Sequence, residues 1–303
     1  MGNRICSLAL VSLFVSGVSV LPSYAKDPPP GNTGKTHRVS IVEENDMYID
    51  VHEKSANLSE ADFNAVLDRV QEIYAPIIKD RGGELSISRN WDDGTVNAYA
   101  QQTGSTWEIA MFGGLARHPA ITTDAFALVA CHELGHHAGG LPKKRGWFWD
   151  TWASAEGQSD YYGAAKCLRK YLKKDNNVEI VKGMKIDPIA SSKCSEAFAG
   201  GTEEDVAICE RSAMAGYSLG KLFEDLKQLT TPIEFSTPDT TVAEETNTQG
   251  YPEIQCRLDT YFAGALCNKS SDILPTDDDA NASFCSQAAG DKLGFRPTCW
   301  YKP

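Results

Sequence analysis

The chain has 303 residues, of which 42% are hydrophobic and 23% charged, and a formal net charge of −12. This length and composition fit a single large globular domain, or one domain with an appendage. A net negative charge of this size argues against nucleic acid or an anionic membrane surface as a binding partner.

The first 25 residues have the pattern of a secretory signal peptide. Arg4 precedes an apolar run over residues 8–21, and Ser23-Tyr24-Ala25 places small residues around a cleavage site. The apolar run is short for a membrane span of about 20 residues, and no later stretch is apolar enough to cross a bilayer. We therefore expect a secreted or periplasmic protein without stable membrane insertion. Residues 26–36, rich in Pro, Gly and Lys, are expected to form a flexible lead-in.

Short alternating segments and one long amphipathic segment follow the lead-in. Hydrophobic periodicity predicts a helix that begins after Ser59, its N-cap, and ends near Lys79. Turn-forming residues separate the segments with strand character, which are 37–42, 47–51, 85–88, 96–101 and 106–112. These elements predict a small mixed or antiparallel sheet beside a helix.

Residues 127–137 contain an HExxH motif in an apolar segment that has the character of a helix. On a helix, His132 and His136 lie one turn apart on one face, so their imidazoles can converge on a single ion with Glu133 beside them. Two imidazoles suit Zn²⁺, which in catalytic sites keeps a position open for water. Glu133 is then the candidate base for that water. The alternative is a chance match in which the histidines only pack, which occurs in on the order of one chain in a hundred.

A second acidic pair follows the motif at a distance that allows a helix, a turn and another helix. Glu156 and Asp160 are four residues apart and share a helix face. Glu156 can be the third ligand, and Asp160 can accept the outer N–H of a metal-bound histidine. A bare pair of this kind is otherwise a solvated surface. The intervening segment contains Trp147, Trp149 and Trp152, which can line a hydrophobic specificity pocket or fill the core around the two helices.

The remainder of the chain carries weaker signals. Residues 193–201 are predicted to be a cysteine-bearing loop, 203–229 a long helix, 230–250 a mobile loop and 251–267 a final helix before the tail. Eight cysteines remain after residue 25, and an even number in an exported chain is typical of disulfides. Cys256 and Cys267 are roughly 16 Å apart along one helix, too far to bridge each other. The predicted pairs join Cys256 and Cys267 to Cys285 and Cys299 in the tail, and Cys131 to Cys167.

The residues around the motif resemble the gluzincin metallopeptidases. The Glu156-x-x-Ser159-Asp160 pattern at this spacing is similar to thermolysin. Asn97-Ala98-Tyr99-Ala100, the strand that leads to Gly114-Leu115, and Asp124 ahead of the motif are similar to soluble relatives of the HtpX and CAAX-prenyl-protease group. The resemblance covers about residues 95–170. It implies a zincin-like fold and a zinc endopeptidase in which Glu133 is the base and His132, His136 and Glu156 are the ligands.

The resemblance also bears on residues outside the motif. Tyr251-Pro252 followed by Arg257 is similar to a later His-Pro…Arg element of the family, with Tyr where His is usual. Arg257 is therefore a catalytic candidate, and Arg257, Tyr251 and Tyr161 are candidates to stabilise an oxyanion. In gluzincins the last strand before the active helix is an edge that pairs with substrate, so Trp107–Phe112 is the candidate edge. An ordinary interior strand is the alternative.

We therefore predict an α+β, zincin-like protein. Residues 37–175 form the metallopeptidase core, with the small sheet packed on the HExxH and glutamate helices, and residues 176–303 form a mainly helical, disulfide-bonded part with a disulfide-rich tail. The predicted function is that of an exported zinc-dependent endopeptidase acting on peptide or protein substrates. The alternatives are a non-catalytic exported zinc-binding protein and a zinc amidase acting on cell-wall peptide. A His₂Glu set favours the enzyme, because structural zinc sites have four closed ligands rich in cysteine.

Overall fold

A computed structural model describes Gly2 and residues 38–53, 57–146 and 150–303 of the chain. The predicted signal peptide, apart from Gly2, and the predicted lead-in lie outside the described residues, as do Trp147 and Trp149. The chain divides into two units after Lys35, and the fold below is that of the second unit, Thr36–Pro303. It is a mixed α+β structure with two small sheets.

The elements follow in chain order. The strands are β1 (Val39–Ser40), β2 (Glu84–Asn90), β3 (Ala98–Thr103), β4 (Thr106–Phe112), β5 (Lys143–Arg145) and β6 (Asp150–Ser154). The helices are α1 (Glu60–Asp80), α2 (Gly113–Arg117), α3 (Thr123–Ala138), α4 (Glu156–Tyr162), α5 (Arg169–Leu172), α6 (Asn177–Val181), α7 (Pro188–Ala197), α8 (Glu203–Lys227) and α9 (Ile254–Leu266). A π-helical segment, Gly163–Leu168, joins α4 to α5, and a 3₁₀ turn, Gln287–Ala289, lies in the tail.

The larger sheet has the strand order β1-β3-β4-β2. β3 is antiparallel to both of its neighbours, whereas β4 and β2 are parallel. The predicted edge strand Trp107–Phe112 is therefore wrong, because β4 is hydrogen-bonded on both sides and the edges are β1 and β2. The fully buried side chains of Ile109, Ala110 and Met111 on successive positions fit this interior place, since an interior strand can be covered on both faces.

The predicted strand at residues 47–51 is also wrong. Only an isolated bridge between Tyr48 and Thr95 forms there. Met47 and Ile49 pack partly buried against the core while Tyr48 has 59% of its surface exposed, so the alternation marks a buried face that forms without a continuous strand. The other predicted strands and the helix capped by Ser59 are present, and Ser59 forms a capping box with Asp62.

Helix α3 is the centre of the core. The Thr122 side chain accepts a hydrogen bond from the Ala125 N–H and so caps the first turn. From Ala125 to Ala138 the side chains are buried on every face, because the helix packs against α1, α4 and α8 and against β3 and β4. The helix ends at Gly139, and Gly140 has a positive φ of 74°.

Gly135 sets how closely α4, the helix that begins at Glu156, approaches α3. A Cβ atom at Gly135 would lie 2.9 Å from the Ser159 Cα, closer than real side chains come. The residue between the two histidines of the motif therefore has to be small for α4 to pack at this distance. The Cys131–Cys167 disulfide links α3 to the π-helical segment and confirms that predicted pair.

Buried Lys166 in the π-helical segment leads to a prediction about stability. Its side chain is fully buried, and Nζ donates a hydrogen bond to the Ser270 carbonyl oxygen at 2.7 Å. Burial, together with the nearby Arg169 charge, lowers the pKa of Lys166 to about 7. Between pH 7 and the higher pKa of an unfolded lysine, the unfolded chain binds a proton that the folded chain does not, so stability rises with pH across this window.

Lys166→Met is expected to remove this pH dependence and to stabilise the protein at pH 7 by about 1–3 kcal/mol, net of the lost hydrogen bond. Urea unfolding between pH 7 and 10 measures both effects. Lys173→Met, at a lysine with 42% of its side chain exposed, is the control and should leave the wild-type slope in place. An unchanged slope in Lys166→Met would show that the buried amine does not titrate in this range.

The regular elements of the C-terminal part are all helices, but more than half of its residues lie in irregular segments, so the prediction of a mainly helical part is too strong. This part carries three disulfides. They are Cys194–Cys209, Cys256–Cys299 and Cys267–Cys285, so the predicted pairing of the last helix with the tail is confirmed. The predicted loop at residues 193–201 is wrong over most of its length, because α7 continues to Ala197. Asp187 caps this helix and Pro188 occupies its first turn.

Residues 230–250 contain no helix or strand, as predicted. Ile233 and Phe235 are nevertheless buried in a small apolar cluster with α8 and α9, which anchors the start of the segment. The mobility of this loop stays a prediction. Among the described helices, none has the length and apolar character needed to span a bilayer.

Candidate metal centre

The two histidines of the HExxH motif lie on consecutive turns of α3 and are fully buried, with ring centroids 4.8 Å apart. His132 Nδ1 lies 2.7 Å from Asp160 Oδ1. His136 Nδ1 lies 2.8 Å from the Ser154 carbonyl oxygen. Carbonyl and carboxylate oxygens only accept hydrogen bonds, so each neutral ring carries its proton on Nδ1 and its lone pair on Nε2.

Glu156 is the first residue of α4 and brings its carboxylate to these lone pairs. Its Oε2 lies 3.3 Å from His132 Nε2 and 3.6 Å from His136 Nε2. Ligands at roughly 2.0–2.1 Å from a tetrahedral ion are about 3.3–3.4 Å from one another, so these separations match ligands of one ion. The sequence-predicted ligands therefore come together, and the group His132, His136 and Glu156 could hold a metal ion.

The hydrogen bonding of these atoms agrees with such a site. In the described part of the chain, Nε2 of both histidines and Glu156 Oε2 are buried without a hydrogen bond of normal geometry. Buried polar atoms are nearly always partnered in folded proteins. An ion between them would explain three such atoms that face one point. A second group of ligand types, Asp239, Cys256 and Cys299, carries no such argument, because its cysteines form a disulfide.

The charges of the three ligands depend on one another. Burial lowers the pKa of His136 to about 3. Burial also disfavours a charge on His132, but the carboxylates of Asp160 and Glu156 outweigh it and raise the pKa of His132 to about 9. Burial opposes ionisation of Glu156, but the two imidazoles and the Lys144 ammonium outweigh it and lower the pKa to about 2. Without an ion, Glu156 is therefore ionised and His132 holds a proton that a bound metal would have to displace.

Glu133 follows His132 on the same helix and is fully buried. Among the described residues, neither of its carboxyl oxygens has a hydrogen-bond partner. Burial, with the nearby Glu156 charge adding to it, raises the pKa of Glu133 to about 8. An acid with a pKa near neutrality and no fixed partner can take up and release a proton, which a general base requires.

Asp160 orients His132 and is itself held by two residues of α9. Arg257 Nε and Nη2 donate to Oδ2 and Oδ1 of Asp160, each at 2.8 Å, and the Tyr261 hydroxyl donates to Oδ1 at 2.5 Å. Burial opposes the charge on Asp160, but the charges of Arg257 and His132 keep its pKa below the usual value. The ionised Asp160 carboxylate therefore holds the His132 ring with Nε2 directed at the point where the candidate ligand atoms converge.

The three candidates for oxyanion stabilisation have partners elsewhere. Arg257 binds Asp160 and the Ile41 carbonyl oxygen, so it lies behind His132. The Tyr161 hydroxyl donates to the Gly294 carbonyl oxygen in the tail. The Tyr251 hydroxyl donates to the Ser40 carbonyl oxygen at 2.7 Å, and its ring lies beside Lys144. Of the three, only Tyr251 borders a cation that contacts a ligand.

Sequence reasoning missed that cation. Lys144 is the central residue of β5, and its Nζ donates to Glu156 Oε1 at 2.8 Å. It stands in a run of three cations, Lys143-Lys144-Arg145, which gives no signal from composition alone. The alternation of side chains along a strand would have separated Lys144 from its two neighbours, but β5 itself was not predicted.

His137 does not join the ligand set. Its ring is stacked between Trp107 at 5.4 Å and Trp152 at 4.7 Å, measured between centroids, and Nε2 lies 3.0 Å from the Glu108 carbonyl oxygen. Burial lowers the pKa of His137 to about 4, so the ring is neutral in this stack. Trp152 thus fills space around α3, one of the two roles predicted for the tryptophan cluster, and joins β6 to β4.

The candidate ligands, Glu133 and Asp160 are all buried, and Lys144 of β5 contacts both Glu156 and the Tyr251 ring. The backbone N–H of Arg145 donates to the Thr248 carbonyl oxygen and so joins β5 to the segment that precedes Tyr251. Comparison of the chain with protein-family models, curated proteins and solved structures finds no match. The chemistry of the site therefore has to be argued from its own residues.

Proposed function

We propose that this protein is an exported, zinc-dependent endopeptidase of the gluzincin type with a zincin-like fold. The observation that carries the proposal is the convergence of two imidazole lone pairs and one carboxylate oxygen, with Glu133 free beside them. Two histidines and one glutamate are the donor set of catalytic zinc sites that keep an open position. Four disulfides suit an oxidising compartment and support export.

The roles of the residues follow from their positions. When bound, zinc supplies Lewis acidity that makes a water molecule easier to deprotonate and a peptide carbonyl easier to attack. His132, His136 and Glu156 would hold the ion. Glu133 accepts the proton of the attacking water and passes it to the leaving amine, since its carboxylate lies beside the candidate ligands and has no hydrogen-bond partner among the described residues.

Asp160 and Arg257 act behind the ligands in this proposal. Asp160 fixes the tautomer and the direction of His132, and Arg257 keeps Asp160 ionised and in place. Arg257 is therefore a positioning residue here and not a group that touches substrate. Tyr261, which also donates to Asp160, completes the support.

One observation favours the alternative of a non-catalytic zinc-binding protein. The ligands and Glu133 are fully buried, as in a site that holds an ion without turning over substrate. The two functions differ in one respect that can be measured. An enzyme opens to a peptide and cleaves it, whereas a binding protein retains zinc and leaves the peptide intact.

The test measures metal content and hydrolysis together. The mature protein is first equilibrated with zinc, and excess zinc is then removed. It is expected to contain one zinc per chain by elemental mass spectrometry and to cleave casein. Removal of zinc by a chelator should abolish cleavage, and added zinc should restore it. His136→Gln is expected to lose the ion and the activity, whereas His52→Gln, at an exposed histidine, should keep both.

Two outcomes would contradict the proposal. If the wild-type chain holds no zinc, the metal centre is not formed by these residues. If it holds zinc but cleaves neither casein nor a library of unstructured peptides, the binding-protein alternative is the better description.

A further inference from the structure

The two oxygens of Glu156 have different partners. Oε2 faces His132 Nε2 and His136 Nε2, whereas Oε1 accepts a hydrogen bond from Lys144 Nζ at 2.8 Å. The Glu156 side chain is fully buried, and 20% of the Lys144 side chain is exposed. The Lys144 ammonium of β5 therefore contacts the Glu156 oxygen that does not face the histidines.

This arrangement matters because a carboxylate can bind a metal ion through one oxygen or through both. If Glu156 used both oxygens together with two imidazoles, it would occupy a further position around the ion. A catalytic zinc site needs that position for water. An ammonium group that donates to Oε1 occupies one lone pair of that oxygen, and its positive charge disfavours approach of a metal cation to the same oxygen.

The position of Lys144 is itself defined by its surroundings. Its Nζ lies 5.8 Å from the centroid of the Tyr251 ring, within reach of a cation–π contact. The neighbouring Lys143 has a different partner and pairs with Asp277 at 2.8 Å. Lys143 is thus a matched neighbour of equal charge that does not contact the ligand set.

We propose that Lys144 is a positioning residue that restricts Glu156 to binding the ion through Oε2 alone and so keeps the fourth position free for water. This inference rests on the proposed function, since it requires that the ion binds at this site. It adds to that function a residue of β5 and a specific consequence for the number of ligand atoms.

The experiment uses Co²⁺, whose visible absorption depends on the number and geometry of its ligands, in place of zinc. The mature protein and the variants Lys144→Met, Lys144→Arg and Lys143→Met are freed of metal and titrated with Co²⁺. The wild-type protein is expected to bind one Co²⁺ per chain with the strong absorption of a four-coordinate site. In Lys144→Met we expect one Co²⁺ per chain with a visible spectrum shifted from that of the wild type, because a second Glu156 oxygen takes the place of water as the fourth ligand.

The other two variants show whether the spectrum depends on a cation at position 144 or on any cation of β5. Lys144→Arg keeps a donor that can reach Oε1 and should retain the wild-type spectrum, and Lys143→Met should do the same. A wild-type spectrum in Lys144→Met would overturn the inference while leaving the metal site intact. Absence of Co²⁺ from the wild-type protein itself would instead overturn the proposed function. Circular dichroism of each variant establishes that it is folded, and Lys144→Ala, which also removes the donor, takes the place of Lys144→Met if that variant does not fold.

Discussion

Replacement of Glu133 by glutamine is expected to lower the rate of peptide hydrolysis by about 10²–10⁴-fold and to leave one zinc per chain. Glutamine has nearly the same shape as glutamate but cannot accept the proton of the attacking water. Glu133 is not among the three atoms that converge on the metal position, so the ion should remain. The measurement is the initial rate of casein cleavage, with zinc determined on the same samples.

Loss of activity in this variant should not come from unfolding. Burial raises the pKa of Glu133 to about 8, so between the ordinary glutamate pKa and pH 8 the folded chain binds a proton that the unfolded chain does not. Ionisation of Glu133 therefore destabilises the metal-free protein as pH rises through this range, and glutamine removes that effect. Glu133→Gln should thus be at least as stable as wild type at pH 8. Glu253→Gln, at an exposed glutamate, serves as the control for activity.

Two results would contradict this role for Glu133. Hydrolysis at the wild-type rate in Glu133→Gln would mean that another group accepts the proton. Loss of zinc would mean that Glu133 helps to hold the ion.

Replacement of Arg257 by methionine is expected to destabilise the metal-free protein by about 3–5 kcal/mol, the cost of breaking a buried ion pair at one partner. Arg257 supplies two hydrogen bonds to Asp160, and both side chains are almost completely buried. Without Arg257, the Asp160 carboxylate keeps its buried charge and loses its strongest partner. The measurement is the free energy of unfolding in urea.

The chain offers a matched control and a double variant for this prediction. Arg89→Met removes a pair with Asp68, whose side chain is 69% exposed, and should cost no more than about 1 kcal/mol. Asp160→Asn combined with Arg257→Met removes both charges and should recover part of the loss. A loss below about 1 kcal/mol in Arg257→Met would show that Asp160 is held adequately by Tyr261 and His132.

The ligand set could be predicted from sequence because its geometry is local. Residues four apart on a helix share a face whatever the surrounding fold, so the convergence of His132 and His136 required only that α3 be a helix. The same rule related Glu156 to Asp160 within the second helix. The approach of the two helices to each other depends on Gly135, whose importance emerges only from packing.

The predictions that are wrong or missing concern features that depend on strand pairing and tertiary packing. A run of apolar residues in β4 does not reveal whether one or both sides are hydrogen-bonded, so its interior place was not determined. Helix α7 was missed although Asp187 and Pro188 form a recognisable start, since its cysteine and serine residues favoured a loop. The contact between Lys144 and Glu156 depends on how β5 packs beside α4. A long-range contact of this kind leaves no local pattern in the sequence.

Helix α4, which carries Glu156, packs against Trp300 in the tail. A Cβ atom at Gly157 would lie 2.4 Å from the ring of Trp300, which is fully buried and follows the disulfide-bonded Cys299. A chain still being synthesised lacks this support until the segment around Trp300 has emerged. A partly synthesised chain would therefore contain His132, His136 and Glu156 before it contains Trp300. Its helix α4 would lack one of the side chains against which it packs.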